Sequence, residues 1–378
     1  MNGLLVAPLI NGHKKNIGDY IQSVAQEQYW DKIDCYVERE KLASFYSDEK
    51  VNLIMQGWFM WTASEFPPSE CINPFFISFH LQPLIAKDLL TVNAVNYLKR
   101  YEPIGCRDYG TKKLLEEKGI ECYYSGCLTL TLDLKYHTKI KTDDIFIVDP
   151  YYEIGGSKQY TYYKRLSIIL KEFALHANRV LKIRKKYSRI RDYKKNIKGL
   201  VRSLIESASL YHTYSKYFSD ELLFKAKYIT HIITETGMTE NDKLEYARTL
   251  IKQYGSAKMV ITSRIHAALP AMALNTSTIF VNSNYLQNEG SAGAPAGRLE
   301  GILELMNYIT LGNDSEYSEI LKPILQNGKI GSGTEFSNPS SYQSLAEELK
   351  KRTLEFVNKS HSGGGNVSLL YSANQMAA

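Results

Sequence analysis

The chain is predicted to be an α/β protein built from two doubly wound, Rossmann-like domains that face a central cleft. Three observations predict this. Short apolar runs alternate with helical patterns from the first residues onward, as parallel strands joined by crossover helices do. The pattern closes near residues 135–143 and restarts with "DIFIVDP". The length, 378 residues, makes two domains the default. The expected division is residues 1–138, residues 139–335, and residues 336–378 as a C-terminal helix followed by a polar, Gly-rich tail.

"GLLVAPLI" (Gly3 to Ile10) reads as a buried strand. "NIGDYIQSVAQEQYW" follows, with Ile17, Ile21, Val24, Ala25 and Gln28 at helical spacing. "VNLIMQGWF" is a second strand, taken to end in Gly57, and "PFFISFHL" a third, with His80 near its end. "IGCRD" is a short fourth strand. It leads into the helix "YGTKKLLEEKG", which Thr111 is placed to cap and Gly119 to stop. "IECYYSG" and "CLTLTL" close the first set. The second set is "DIFIVDP", a long helical stretch to about Phe224, the strand "YITHII" (Tyr228 to Ile233), the helix "ENDKLEYARTLIKQYGSA", the strand "KMVITS", the helix "RIHAALPAMALN" and the strand "STIFVN". "YQSLAEELKKRTLEFVNK" reads as one amphipathic helix near the end.

With 44% hydrophobic and 23% charged residues the composition is that of a globular protein. The 28 tyrosines suit wet, partly apolar surfaces such as sugar sites, and equally reflect a biased genome. Five cysteines, odd in number and without a CxxC pair, argue against a disulfide framework and against a zinc site. The first residues carry no charged segment ahead of an apolar one, and no run approaches the roughly 20 apolar residues of a membrane span. A cytoplasmic protein is expected, with peripheral attachment at the inner face of a membrane left open. Net charge is +6, and residues 179–202 hold 11 Lys/Arg against one Asp. That segment points to an anionic partner; the plainer reading is a solvated helix face.

Open parallel sheets bind ligands beyond the carboxyl ends of their strands. Asn16, Gly18, Asp19, Gly57, Trp58, His80, Arg107, His231, Ser263, Arg264 and His266 all fall at or near such ends in this reading. Arg264 and His266 are the sharpest pair. Unpaired N–H groups at a helix start favour an anion, arginine adds a planar fork, and a histidine two residues on exchanges protons near neutral pH. Each residue also has a plainer reading. Arg264 pairs with a buried carboxylate and His266 satisfies a backbone carbonyl. Gly18 permits a turn, Asp19 caps a helix, Arg107 bridges to Asp108 or a neighbour, and Trp58 is core.

"NIGD", "GW", "CRDYGTKKLLEEKGIECYYSGCLTLTL" and "TSRIHAALPAMALNTSTIFV" occur in a fixed order. Together they make the chain resemble the polysaccharide pyruvyl transferase family over about residues 1–310, most specifically in "SRIHAALPAMAL" and "SGCLTLTL". The tail carries none of the resemblance. The family is similar in architecture to two-domain GT-B glycosyltransferases, in which a C-terminal helix crosses back to the first domain. The resemblance implies an enzyme that moves pyruvate from phosphoenolpyruvate onto two hydroxyls of one sugar, forming a cyclic ketal. The acceptor implied is a cell-surface polysaccharide or its lipid-linked precursor.

Under that resemblance Arg264 binds the donor phosphate or carboxylate and His266 is the general acid. Arg107, His231 and Ser263 complete the donor side, with His231 orienting the donor or acting as base. Asn16, Gly18, Asp19, Gly57, Trp58 and His80 form the acceptor side. No metal and no cofactor beyond the donor substrate is expected, and no Asp-x-Asp pair is present. Residues 179–202 are expected to meet an anionic membrane surface, and no nucleic-acid partner is expected. Two rival readings share the scaffold: a nucleotide-sugar glycosyltransferase, and a non-catalytic glycan binder.

Overall fold

The computed structural model describes residues 1–7, 15–152, 162–233, 237–283, 299–312 and 316–362. Residues 8–10 of the first predicted strand and the tail after 362 lie outside the described residues. The first half runs β1 (Asn2–Val6), β2 (Lys15–Asn16), α1 (Gly18–Glu27), β3 (Cys35–Glu38), β4 (Val51–Phe59), β5 (Ile72–Leu81), α2 (Pro83–Leu89), α3 (Val92–Lys99), β6 (Ile104–Cys106), α4 (Tyr109–Glu116), β7 (Cys122–Tyr124) and α5 (Asp133–Tyr136). The second runs β8 (Ile145–Val148), α6 (Tyr162–Tyr187), α7 (Ile197–Tyr214), α8 (Asp220–Lys225), β9 (Lys227–Ile229), β10 (Ile232–Ile233), α9 (Glu240–Ser256), β11 (Met259–Thr262), α10 (Ile265–Ala273), β12 (Ser277–Ser283), β13 (Tyr308–Leu311), β14 (Glu316–Tyr317), α11 (Lys322–Gln326) and α12 (Ser341–Ser362).

Two six-stranded sheets result, one per half, as two Rossmann-like domains require. The first has the order β3-β1-β4-β5-β6-β7 and is parallel throughout. The second has the order β14-β13-β12-β11-β8-β9, parallel except for the β13–β14 edge pair. Their central strands are apolar on both faces, as Val260 and Ile261 in β11 are, because helices cover both sides.

Three apolar clusters hold the molecule. One packs the first sheet's outer face through residues such as Phe76, Phe79 and Leu98. Another packs the second sheet through Ile147, Ile183 and Tyr214. The third is shared between halves: Ile21, Leu128 and Leu130 join Leu269, Met272 and Leu349. Each fully buried leucine there contributes about 1.5–3 kcal/mol, so the halves are welded rather than merely tethered. Helix α12 belongs to this weld. Its Phe356 stacks on Phe75 of the first sheet at 5.0 Å, and Lys350 reaches Asp133 at 2.7 Å.

The structure corrects several expected elements. "CLTLTL" is not a strand but a 3-10 turn over Leu128–Thr131. Gly126, at φ +69°, turns the chain off the sheet edge, and the run's apolar side chains plug the seam against the other half. An apolar run of that length fits a strand and a buried turn equally. "YITHII" breaks at Thr230, so His231 stands in a turn after β9. Beyond it, β10 leaves the second sheet and pairs with β2. Gly57 does not end its strand, which continues to Phe59. Asp108, not Thr111, caps α4 by accepting from the Thr111 amide. β3 was not foreseen, because "CYVE" buries one residue in four and carries little apolar signal.

Candidate functional site

The carboxyl ends of the two sheets meet across the domain seam. The β2–β10 ladder and an Ile17 N–H donated to the His231 carbonyl at 2.8 Å tie the loop after β1 to the loop after β9. Gly18, first residue of α1, lies against α10. A Cβ there would come within 3.2 Å of the His266 Nδ1 and 3.1 Å of the Asn16 Oδ1. "NIGD" and "SRIH" are therefore two sides of one junction, and a side chain at Gly18 would have to push Asn16 or His266 back by a few tenths of an ångström. The Tyr109 N–H, donated to the Glu300 carbonyl, brings the start of α4 to the same seam.

On the second-domain side the organising residue is Asp149, directly after β8. Its φ of +40° is unusual for a non-glycine residue, though aspartate tolerates it better than most. One oxygen, Oδ2, accepts from Arg264 Nε at 2.9 Å and from the His231 amide at 2.9 Å. The other, Oδ1, accepts from the Thr230 hydroxyl at 2.7 Å. Burial opposes ionisation of this carboxyl. The Arg264 charge and those donors outweigh it and hold the group below the usual carboxylate range. Arg264 caps α10 and is 38% exposed at its side chain. Asp149 engages its Nε, and the outer edge of the guanidinium faces solvent.

His231 is buried at the back of this cluster, its Nε2 at 2.7 Å from the Tyr254 hydroxyl. Burial pushes its pKa far down, and the nearby Arg264 adds to this against the pull of Asp149, so the imidazole is neutral. It cannot serve as a resident acid. Ser263 is occupied structurally: its hydroxyl accepts from the Tyr151 amide at 3.0 Å. His266 is the second residue of α10 and is only 5% exposed.

The first-domain edge carries a second cluster. Registers place Trp58 beside His80 and Phe79 beside Cys106, so His80 and Arg107 end adjacent strands. His80 Nδ1 lies 2.6 Å from Asp108 Oδ2, and Thr111 donates to Oδ1 from both its amide and its hydroxyl at 2.9 Å. Burial raises the Asp108 pKa, but His80, Arg107 and Thr111 together bring it below the ordinary value. Arg107 is fully buried, with Nε 3.5 Å from Asp108. Its Nε, Nη1 and Nη2 have no hydrogen-bond partner among the described residues. Buried donors left unmade cost about 1–3 kcal/mol each, so such a group calls for an acceptor that the described residues do not supply.

The six residues expected on the acceptor side separate. Asn16 and Gly18 go with His266. Asp19 and Gly57 line a pocket of about 10 Å³ with Gln22, Arg39 and Gln56, room for one water molecule rather than a sugar ring. Gly57 has φ +99° and faces Gln22 so closely that a Cβ would sit 2.9 Å from Oε1. Half-buried Trp58 packs against Trp61 at 4.7 Å with the rings tilted by 56°, and the Arg39 guanidinium covers its ring at 5.0 Å. His80 is buried against Asp108 and does not face open solvent. Sequence reasoning passed over Asp149, Arg39 and Trp61. Asp149 carried a usable signal: it is the polar residue that closes an apolar run, the criterion applied to Arg107 and Arg264.

Comparison with known proteins follows from this geometry. A family model described as polysaccharide pyruvyl transferase matches residues 16–285, from Asn16 past His266. No curated protein matches the chain. Among solved structures, an uncharacterised protein of Klebsiella pneumoniae subsp. pneumoniae NTUH-K2044 is 14% identical over 76% of this chain and 85% of its own, with a TM-score of 0.36. UDP-GlcNAc 2-epimerase of Methanocaldococcus jannaschii is 12% identical over 93% of this chain and 99% of its own, with a TM-score of 0.39. The same enzyme in complex with UDP-GlcNAc and UDP gives 11% identity and a TM-score of 0.38. No argument about function rests on likenesses this distant.

Proposed function

The chain belongs to the polysaccharide pyruvyl transferase family, and on that premise we propose that it transfers pyruvate from phosphoenolpyruvate to a hydroxyl pair of one sugar. The product is a cyclic ketal on a cell-surface polysaccharide or its lipid-linked precursor. Membership makes the protein a transferase; the donor, the acceptor and the residue roles are the proposal.

The observation that carries it is the Arg264–His266 pair at the start of α10, with Arg264 steered by Asp149. The donor holds a phosphate and a carboxylate. The outer edge of Arg264 and the N-terminus of α10 suit one of these anions. Arg107, with three unmet donors, suits the other. The reaction needs a proton at the donor's terminal methylene carbon, giving an oxocarbenium-like centre at the neighbouring carbon. A sugar hydroxyl adds there, the bond to phosphate breaks, and a second hydroxyl closes the ring. Of the two hydroxyl protons released, one balances that gained by the methyl group and the other leaves with phosphate.

His266 is the proposed acid. Neutral His231 and Ser263 hold the donor loop rather than move protons, and a weaker role as base stays with Asp19. Trp58, paired with Trp61, offers an aromatic face to the acceptor, while Asn16, Gly18, Gly57 and His80 shape the wall behind it. The second domain then serves the donor, with Arg107 reaching it from the first, whose other named residues serve the acceptor.

Thermal stability with phosphoenolpyruvate, set against a panel of nucleotide sugars, tests the reading. A ligand at 100 times its Kd adds about 2.7 kcal/mol. A shift with phosphoenolpyruvate that vanishes in Arg264→Ala supports donor and site together. A shift with a nucleotide sugar alone transfers the chain to the glycosyltransferase reading.

A further inference from the structure

Helices α6 and α7 form a hairpin inserted between β8 and β9, and the hairpin is apolar on its outer side as well as on its inner one. Of the eighteen large hydrophobic residues exposed among the described residues, nine lie between 163 and 205. On α6 they follow helical spacing through Tyr163, Leu166 and Leu170; on α7 they recur every four residues at Ile197, Val201 and Ile205. Tyr163 is 80% exposed and Ile197 75%. The inner side of the same hairpin is apolar as well, with Val180, Ile183, Tyr211 and Tyr214 packed on the second sheet. Buried Glu172 pairs with His212 at 2.8 Å, and buried Glu206 takes Tyr193 at 2.7 Å and Arg202 at 2.8 Å. A helix pair whose outer side faced water alone would be apolar on the inner side only.

Eight of the eleven cations of residues 179–202 fall into two groups. Arg179 is engaged by Asp220, Arg184 by Ser203, Lys186 by the carbonyl of Ala226, and Arg191 and Arg202 by Glu206. Lys194, Lys195 and Lys198 are exposed and flank Ile197 and Val201 directly. A groove of about 500 Å³, lined by Tyr152, Ile197, Lys198, Val201 and Ile205 together with the Arg202–Glu206 pair and Ser209, joins this face to the loop three residues beyond Asp149.

We propose that the α6–α7 hairpin is an interfacial membrane anchor: its leucine and isoleucine side chains enter the headgroup region of an anionic bilayer, with Lys194, Lys195 and Lys198 on the phosphates. Apolar side chains rimmed by lysine match that interface in both respects. A second copy of the chain does not, since a twofold interface sets the same lysines against each other. A nucleic acid would meet the lysines and leave the apolar ridge in water. No helix among the described residues is long and apolar enough to cross a membrane, so attachment would lie along the surface. Docking there turns the mouth of the cleft, through the Tyr152 groove, toward the bilayer. The inference is independent of the donor chemistry proposed above.

Co-sedimentation of the full chain with phosphatidylcholine vesicles, with and without phosphatidylglycerol, tests it. Two variants accompany the wild type: Lys194→Gln/Lys195→Gln/Lys198→Gln, and Leu170→Ser/Ile197→Ser/Val201→Ser. All six positions are exposed, so an unchanged Tm verifies that both variants fold. Binding is expected only with the anionic lipid and weakened by salt. The lysine variant should lose roughly a hundredfold in affinity. The serine variant should lose roughly tenfold or more although its charge is unchanged. Equal binding to both vesicle types overturns the proposal, as does a serine variant that binds like wild type. So does a lipid-free dimer, seen by sedimentation velocity, that the serine substitutions dissociate.

Discussion

Each of the two sheets ends in an arginine, an aspartate and a histidine, and the two trios are built to opposite specifications. In the second domain Asp149 is saturated by Arg264, Thr230 and the His231 amide, and Arg264 keeps its outer edge in water. In the first domain Asp108 is saturated by His80 and Thr111 instead. Arg107 is left buried at 3.5 Å from the carboxylate, with three donors unmet among the described residues. The first arrangement is complete without a ligand. The second is incomplete and gains most from an anion. The difference teaches that the same residue types at equivalent strand ends can be a finished scaffold in one place and an open demand in the other.

The sharpest way to break the comparison is at the finished trio. His266→Ala should lower turnover by roughly a hundredfold or more if the imidazole is the acid, measured as phosphoenolpyruvate-dependent phosphate release. Asp149→Asn should cost activity through loss of the grip on Arg264. It should raise KM for the donor, where His266→Ala acts on kcat. Near-normal turnover in the His266 variant removes the assignment.

Arg107→Met should act in two directions. Removing three unmet buried donors should raise the Tm of the ligand-free protein, by roughly 1 kcal/mol or more in stability. The same change should abolish the thermal shift with phosphoenolpyruvate. A large destabilisation without ligand would mean that Arg107 is a structural partner of Asp108 and that the contrast between the two trios fails.

The last test needs only a change of pH and lies in the pH dependence of stability. His231 has its folded pKa depressed, so below the ordinary imidazole value of 6.5 the unfolded chain takes up a proton that the native state refuses. Stability therefore falls on acidification, by about 1.4 kcal/mol per pH unit for that one group. Asp108 and Asp149, also depressed, add their loss only below the usual carboxylate value of 3.8. Denaturant melts between about pH 6 and pH 4.5 should show the His231 slope, and His231→Gln should flatten it. An unchanged slope would mean that the histidine is charged in the fold.

Much of this was legible in the chain. The strand–Arg–His sequence around Arg264 and His266 exposed a helix start with a cation, because local spacing alone determines it. Asp149 did not declare itself, although it closes "DIFIVD", because its partner stands 115 residues away in sequence. The His80–Asp108 pair is separated by 28 residues and needs the β5–β6 register to bring it together. "CLTLTL" misled because apolar continuity says buried without saying strand. The hairpin's charge was visible in residues 179–202. Its second, exposed apolar face was not, since helical spacing identifies an apolar face but not the side on which the rest of the protein lies.

The two-residue ladder between β2 and β10 has a kinetic side. The Ile17 amide is held by the His231 carbonyl across the seam, at the point where the two halves would part to admit a substrate. Any opening wide enough to separate those loops must release that proton to solvent. Deuterium uptake at Ile17 is thus a clock for the breathing of the cleft, and its slowing on ligand addition would report how long the halves stay shut.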